Sequence, residues 1–250
     1  MNEMKGNSMA VFNSNDIYPV SADSELPFEQ HRDIFHLTGI DQEETILLLY
    51  PPSKDDKTRE ILFIRKSDNH TKVWEGEKLS KKQANELSGI DSIYFIDDFK
   101  DILSSIATKV DTFYINKNEH YRANSPVETR EDRFISWLLK KYPAHNVAKS
   151  NPILQRQRSI KHPDEIDQIK KACDITRKGF NRVLEFIKPN VWEYEIEAEF
   201  IHEFINSSSK GFAYSPIIAS GNDNNVLHYV KNNKQCKSGE LILMDVGAEY

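Results

Sequence analysis

The chain has 250 residues, of which 38% are hydrophobic and 29% charged, and a net charge of −6. This composition is polar but globular, long enough for one large domain or two ordinary ones, and it excludes a disordered chain. The acidic balance leaves only short lysine clusters, Lys81-Lys82 and Lys140-Lys141, which read as solvated helix ends rather than a nucleic-acid surface. No stretch approaches the roughly 18 apolar residues of a membrane span. The N-terminus, MNEMKGNSMAVF, lacks the apolar core of a secretory leader. Two isolated cysteines, Cys173 and Cys236, suit a reducing compartment without a disulfide framework. The expectation is a cytoplasmic protein with no nucleic-acid or membrane partner.

The first half reads as strands alternating with helices. Thr45–Tyr50, Glu60–Arg65, Asp91–Ile96 and Asp111–Asn116 are short runs rich in β-branched and aromatic residues. Their length favours strands, and strands this apolar belong in a sheet covered by helices on both faces. Lys81–Leu87 and Arg130–Lys141 are the expected covering helices. In the second of these Phe134, Trp137, Leu138 and Lys141 keep helical spacing until Pro143. Polar residues and prolines between Tyr142 and Ser159 interrupt the pattern. A domain boundary is expected there, giving domains 1–150 and 151–250.

The second half opens with two helices. Pro163 suits a first turn, and Asp164 and Glu165 complement the helix dipole. Ile166 to Ile187 recur at helical intervals until Pro189, and Tyr194 to Ile205 form a second helix closed by Gly211. Strands are expected at Ser215–Ala219 and Leu241–Val246.

Asp245 interrupts an apolar run, Leu241-Ile242-Leu243-Met244. Alternation puts Leu241, Leu243 and Asp245 on one face and Ile242, Met244 and Val246 on the other. Both faces are apolar, so the strand is expected to be buried on both. A carboxylate there needs a partner or a metal, unless it simply ends the strand ahead of the turn at Gly247. His228 follows a polar loop and could bind substrate or metal, or be an ordinary surface histidine. His202-Glu203 begins a zinc-like HExxH pattern, but the required second histidine is Asn206. Trp74 lies near a turn, where a packing anchor is equally expected. There is no phosphate-binding glycine loop and no nucleophile elbow.

Several stretches carry a resemblance. Pro27–Pro51, containing FHLTG, is similar to the N-terminal domain of Xaa-Pro aminopeptidases (aminopeptidase P), and Val73-Trp74-Glu75-Gly76 to that family's Trp-x-Gly turn. Arg158–Thr176 resembles the helix that opens the family's pita-bread catalytic domain. Tyr214–Gly221, Leu227-His228-Tyr229 and Leu243–Tyr250 resemble its first substrate-site and metal-ligand segments. The resemblance covers essentially the whole chain, in order.

It implies an α/β and α+β fold: a creatinase-type mixed-sheet domain, then the first part of a pita-bread domain. It implies release of the N-terminal residue from peptides with proline second, by a hydroxide bridging two divalent metals, usually manganese. Asp245 would be a metal ligand, His228 and Tyr214 catalytic-site groups, and His228 and Trp74 substrate-binding groups. Trp74 would reach a neighbouring subunit's active-site mouth in a homodimer or homotetramer. The family's other ligands lie further along, so the chain is expected to be truncated within the catalytic domain and inactive as it stands. The alternatives are prolidase, which cleaves Xaa-Pro dipeptides, and, for a chain ending at 250, a non-catalytic peptide-binding relative.

Overall fold

The computed structural model describes residues 1–120 and 125–250. They form two compact units, Met1–Ser159 and Ile160–Tyr250. In chain order the first unit contains β1 (Ser8–Asn13), β2 (Pro19–Ser21), β3 (Ser24–Glu25), α1 (Arg32–Thr38), β4 (Ile46–Leu49) and β5 (Glu60–Ile64). Then come α2 (Asn69–Trp74), α3 (Lys81–Ser88), β6 (Ser92–Phe95), α4 (Phe99–Ala107), β7 (Thr112–Ile115), α5 (Arg130–Lys141), β8 (Asn146–Lys149) and α6 (Asn151–Ser159).

Six strands form one mixed sheet in the order β6-β5-β4-β1-β7-β8. Strand β4 runs antiparallel to β1 and β5, whereas β1–β7, β5–β6 and β7–β8 are parallel pairs. Alternation along each strand feeds two cores. Met9, Val11, Ile46, Leu48, Ile61 and Phe63 pack on one side with Leu103 of α4 and Leu138 of α5. Ala10, Phe12, Leu47, Leu62 and Ile64 pack on the other with Ile34 of α1, Ala84 of α3 and Leu154 of α6. The sheet is therefore covered on both faces, as strands this apolar require. Helix α5 matches its expected span, with Thr129 and Asp132 forming a capping box.

Strand β1, to which the sequence reading assigns no element, is central and wholly buried. The domain boundary needs correction. Helix α6, assigned to the second domain by a boundary at 150, belongs with the first unit because Leu154 is buried in its core.

The second unit contains α7 (Pro163–Phe186), α8 (Glu193–Asn206), β9 (Gly211–Phe212), β10 (Ile217–Ser220), β11 (Ile242–Asp245) and β12 (Ala248–Glu249). Pro163 occupies the first turn of α7, and Glu165 accepts from the His162 backbone N–H at 2.8 Å. Helices α7 and α8 meet at Gly179. A Cβ there would lie 2.8 Å from the Phe204 ring and 2.9 Å from the Phe200 ring, and both rings are fully buried. Helix propensity favours alanine over glycine by about 1 kcal/mol, but neither ring can swing aside in a packed core. Gly179→Ala is expected to lower stability by about 1–3 kcal/mol, read as a lower denaturant midpoint. An unchanged or raised midpoint would show that the helices part readily.

Candidate functional site

Strand β10 pairs antiparallel with β11, placing Ile217 opposite Asp245, and β9 pairs antiparallel with β12, placing Phe212 opposite Ala248. The same two chain segments thus form both ladders, with a break between them. Ala213 N–H donates to the Gly247 carbonyl at 2.9 Å inside that break. Tyr214 projects from one side and Asp245 ends β11 on the other. The Tyr214 hydroxyl donates to Asp245 Oδ1 at 2.8 Å. A Cβ on Gly247 would come within 3.3 Å of the Tyr214 ring, so the close approach of ring and backbone favours glycine there. Partial burial, and then the Asp245 carboxylate it donates to, push the Tyr214 phenol above its ordinary pKa. Tyr214 is therefore a protonated donor at neutral pH. It fixes one oxygen of Asp245.

Asp245 itself is exposed, as are Leu241 and Leu243 on the same face. Ile242, Met244 and Val246 on the other face join the core of the unit with Phe200, Phe204 and Ile218. Within these 250 residues the strand is covered on one face only, where two had been expected. Alternation identifies which residues share a face, but not whether anything covers it. Where β10 ends, a side chain extends the ladder from the same edge: Asn224 donates to the Leu241 carbonyl at 3.0 Å, which also accepts from the Gly221 N–H at 3.1 Å, and accepts from the Leu243 N–H at 3.2 Å.

The segment joining β10 to β11 carries His228. His228 is exposed and makes no hydrogen bond among the described residues. Its neighbours are fixed. Tyr229 is buried, and its hydroxyl donates to Glu193 Oε2 at 2.8 Å. Asn232 accepts from the Ile218 N–H at 3.0 Å and donates to Glu197 Oε2 at 2.8 Å and the Pro216 carbonyl at 3.1 Å. The structure thus brings Tyr214 and Asp245 together and holds the His228 loop at two flanking points. Trp74 belongs to the first unit, where it ends α2, is 71% exposed, and stacks on His70 with ring centroids 6.0 Å apart. His202 is exposed on α8, in keeping with the absence of a second histidine at 206.

Sequence reasoning missed Glu193. It opens α8 and is fully buried. Oε1 accepts from the Ser220 N–H and hydroxyl, both at 2.7 Å, and Oε2 accepts from Tyr229 and from the Lys234 N–H at 2.9 Å. One carboxylate thereby ties the start of α8 to the end of β10 and to the His228 loop. Its only local signal is an acidic residue in a first helical turn, which the helix dipole alone explains.

Among the described residues no three His, Cys, Asp or Glu side chains are grouped to hold a metal ion. Asp245 offers one carboxylate, and one carboxylate does not make a metal site. The residues described here do not suffice for a bound metal.

Glu193→Gln would turn an NH2 group towards N–H and O–H donors. It is expected to cost about 1–3 kcal/mol and to let Tyr229 ionise at a lower pH than in the wild type. Burial first, and then Glu193, push the Tyr229 phenol up to about 12. The folded state therefore holds that proton more tightly than the unfolded chain. Its contribution to stability is intact below about pH 10 and is lost as pH rises towards about 12. Ultraviolet titration of the wild type, Glu193→Gln and Tyr229→Phe checks this. An unshifted Tyr229 in the Gln variant would contradict the clasp.

Two family models match the chain: "Aminopeptidase P, N-terminal domain" over residues 1–114, and "Metallopeptidase family M24" over residues 167–250. The chain is 29% identical to the Xaa-Pro aminopeptidase of Escherichia coli K12, covering 92% of this chain and 52% of that protein. It is 28% identical to human Xaa-Pro aminopeptidase 3, covering 94% of this chain and 46% of that protein. Among solved structures, aminopeptidase PepP of Pseudomonas aeruginosa superposes with a TM-score of 0.87 at 26% identity, covering 100% of this chain and 56% of that one. A zinc-substituted E. coli aminopeptidase P in complex with product gives a TM-score of 0.86 at 28% identity, covering 99% and 56%. The chain spans about half the length of the curated relatives it matches. With both family models matched in order and the fold shared across the described residues, the chain belongs to the aminopeptidase P family, comprising its N-terminal domain and part of its pita-bread catalytic domain.

Proposed function

We propose that the protein is a metal-dependent Xaa-Pro aminopeptidase, releasing the first residue of peptides that carry proline second. The observation that carries this reading is the Tyr214–Asp245 hydrogen bond at the break between the two ladders. It leaves Asp245 exposed, with one oxygen fixed and the other available. A carboxylate oriented by a neutral donor is how proteins prepare a ligand for a hard divalent cation. Asp245 is one carboxylate of a two-metal centre, with manganese the native ion. Its other donors belong to the part of the family's length that these 250 residues do not cover. Held by Asp245 and those further donors, such a pair would supply an activated water as nucleophile and Lewis-acid polarisation of the scissile carbonyl.

The chain's own residues do the positioning. Tyr214 holds Asp245. His228, on a loop pinned by Tyr229 and Asn232, faces solvent and is available to hydrogen-bond the peptide around the scissile bond. Proline in second position makes that bond a tertiary amide without an N–H, so recognition falls to a pocket shaped to the ring. Trp74 extends the substrate mouth of a neighbouring subunit in a homodimer or homotetramer. The setting is cytoplasmic. The 250-residue segment alone is inactive.

The complete reading frame, supplied with manganese, is expected to cleave a tripeptide with proline second and to spare one without proline. Cleavage of Xaa-Pro dipeptides alone would make it a prolidase, and no cleavage of either would overturn the enzyme reading. Asp245→Asn is expected to abolish metal-dependent turnover. Tyr214→Phe should lower kcat/KM by about 10–100-fold. His228→Ala should cut turnover while metal content stays near that of the wild type. Loss of metal in the His228 variant would mean that the imidazole is a ligand or supports one.

A further inference from the structure

The first unit contains a crevice that the peptidase reading does not use. Its volume is about 1060 Å³, and Asn13, Ser14, Asn116, Arg130 and Glu131 are among the residues lining it. Its position follows from the topology. After β1 the chain builds the sheet outward through β4, β5 and β6, then returns to add β7 and β8 on the other side. Strands β1 and β7 are parallel neighbours, so their carboxyl ends lie side by side where the order reverses. Asn13 and Ser14 end or follow β1, and Asn116 follows β7. In open α/β sheets the crevice outside the carboxyl ends of the strands, at the point of reversal, is the usual place for a ligand.

The floor is polar and pre-arranged. Asn13, Ser14 and Asn116 are all buried. Glu131, in the first turn of α5, accepts from Asn13 Nδ2 at 2.7 Å and from the Asn116 N–H at 3.2 Å. Burial pushes its carboxyl above the usual range.

Arg130, immediately before it, is half-buried and forms no ion pair or hydrogen bond among the described residues. Its nearest acidic neighbours are engaged elsewhere: Asp16 pairs with Arg133 at 2.6 Å, and Glu44 lies 3.8 Å from Arg65. A desolvated guanidinium without a counter-ion is costly, and its planar fork suits a carboxylate or a phosphate. The surrounding field separates the two. Asp16 and Glu44 attract Arg130 through space while Arg133 repels it, and the lining also carries Glu29, Glu119 and Glu128 against Lys117, so the balance disfavours a second negative charge on a ligand. A monoanion that also carries a positive group fits this field better than a phosphate dianion.

We propose that this crevice is a second ligand site, in which Arg130 binds the free carboxylate of an amino acid or short peptide. The site lies wholly in the first unit and does not depend on a metal.

The test is calorimetric titration of the full chain with glycylglycine, in a chelator so that no metal recruits the ligand. Ethylamine and inorganic phosphate serve as comparison ligands. Saturable binding of glycylglycine is expected, with none of ethylamine and with phosphate failing to displace the dipeptide. Arg130→Gln should weaken binding about tenfold or more, whereas Asp245→Asn should bind as the wild type does. Without ligand, Arg130→Gln should unfold at the same temperature or higher, since it removes an uncompensated charge. The proposal fails if the wild type shows no saturable binding, if Arg130→Gln binds unchanged, or if Asp245→Asn alone loses binding. It also fails if phosphate displaces the dipeptide at comparable concentration, or if ligand-free Arg130→Gln unfolds at a markedly lower temperature, which would make Arg130 a packing residue.

Discussion

Glu193 is a buried carboxylate held by four neutral donors, and the local structure of the second unit is arranged around satisfying it. Taking a charge out of water is expensive, and hydrogen bonds to its two oxygens are what make it tolerable. The four donors come from Ser220, Tyr229 and Lys234, so the carboxylate fixes the end of β10 and both sides of the turn after His228. With β10 fixed, its ladder with β11 sets the register that puts Asp245 opposite Ile217. The break beyond that pair then brings Tyr214 onto Asp245. Removing the clasp would act on the candidate site through this register rather than through any group that touches substrate.

The two ends of the Tyr214–Asp245 pair are held in different ways. Gly247 lets the tyrosine ring approach the backbone closely, while the Asn224 amide prolongs the β10 side of the ladder by bonding the Leu241 carbonyl and the Leu243 N–H. The carboxylate therefore sits at a strand end whose backbone is held by this ladder, and within these residues its side chain is exposed. This combination of rigid support and an open face suits a ligand-bearing group. It does not suit a residue whose task is to fill a core.

Much of this was legible in the sequence, and the failures have physical causes. Strands β4, β5, β6 and β7 stood out as apolar runs, and α5 and α7 as periodic runs with caps and prolines at their ends. Asp245 was visible because a carboxylate interrupts an apolar strand. Its tyrosine partner was reached only by resemblance, since 31 residues separate them in sequence. Glu193 was hidden for the same reason: its partners lie 27, 36 and 41 residues away, and an acidic first turn already has a local explanation. Helix α4 was legible but unread, since Phe99, Leu103, Ile106 and Ala107 keep helical spacing and are all buried. These residues cover one face of β11, and periodicity assigns faces without saying what covers the other. The Arg130 crevice could not be read at all, because it exists only once the ends of β1 and β7 lie side by side.

The central claim is that Tyr214 prepares Asp245 as a metal ligand. Manganese affinity of the complete reading frame, measured for the wild type, Tyr214→Phe and Asp245→Asn, tests it most directly. Loss of bound metal in Asp245→Asn, with affinity lowered about 10–100-fold in Tyr214→Phe, is the predicted result. Wild-type manganese affinity in both variants would contradict the account.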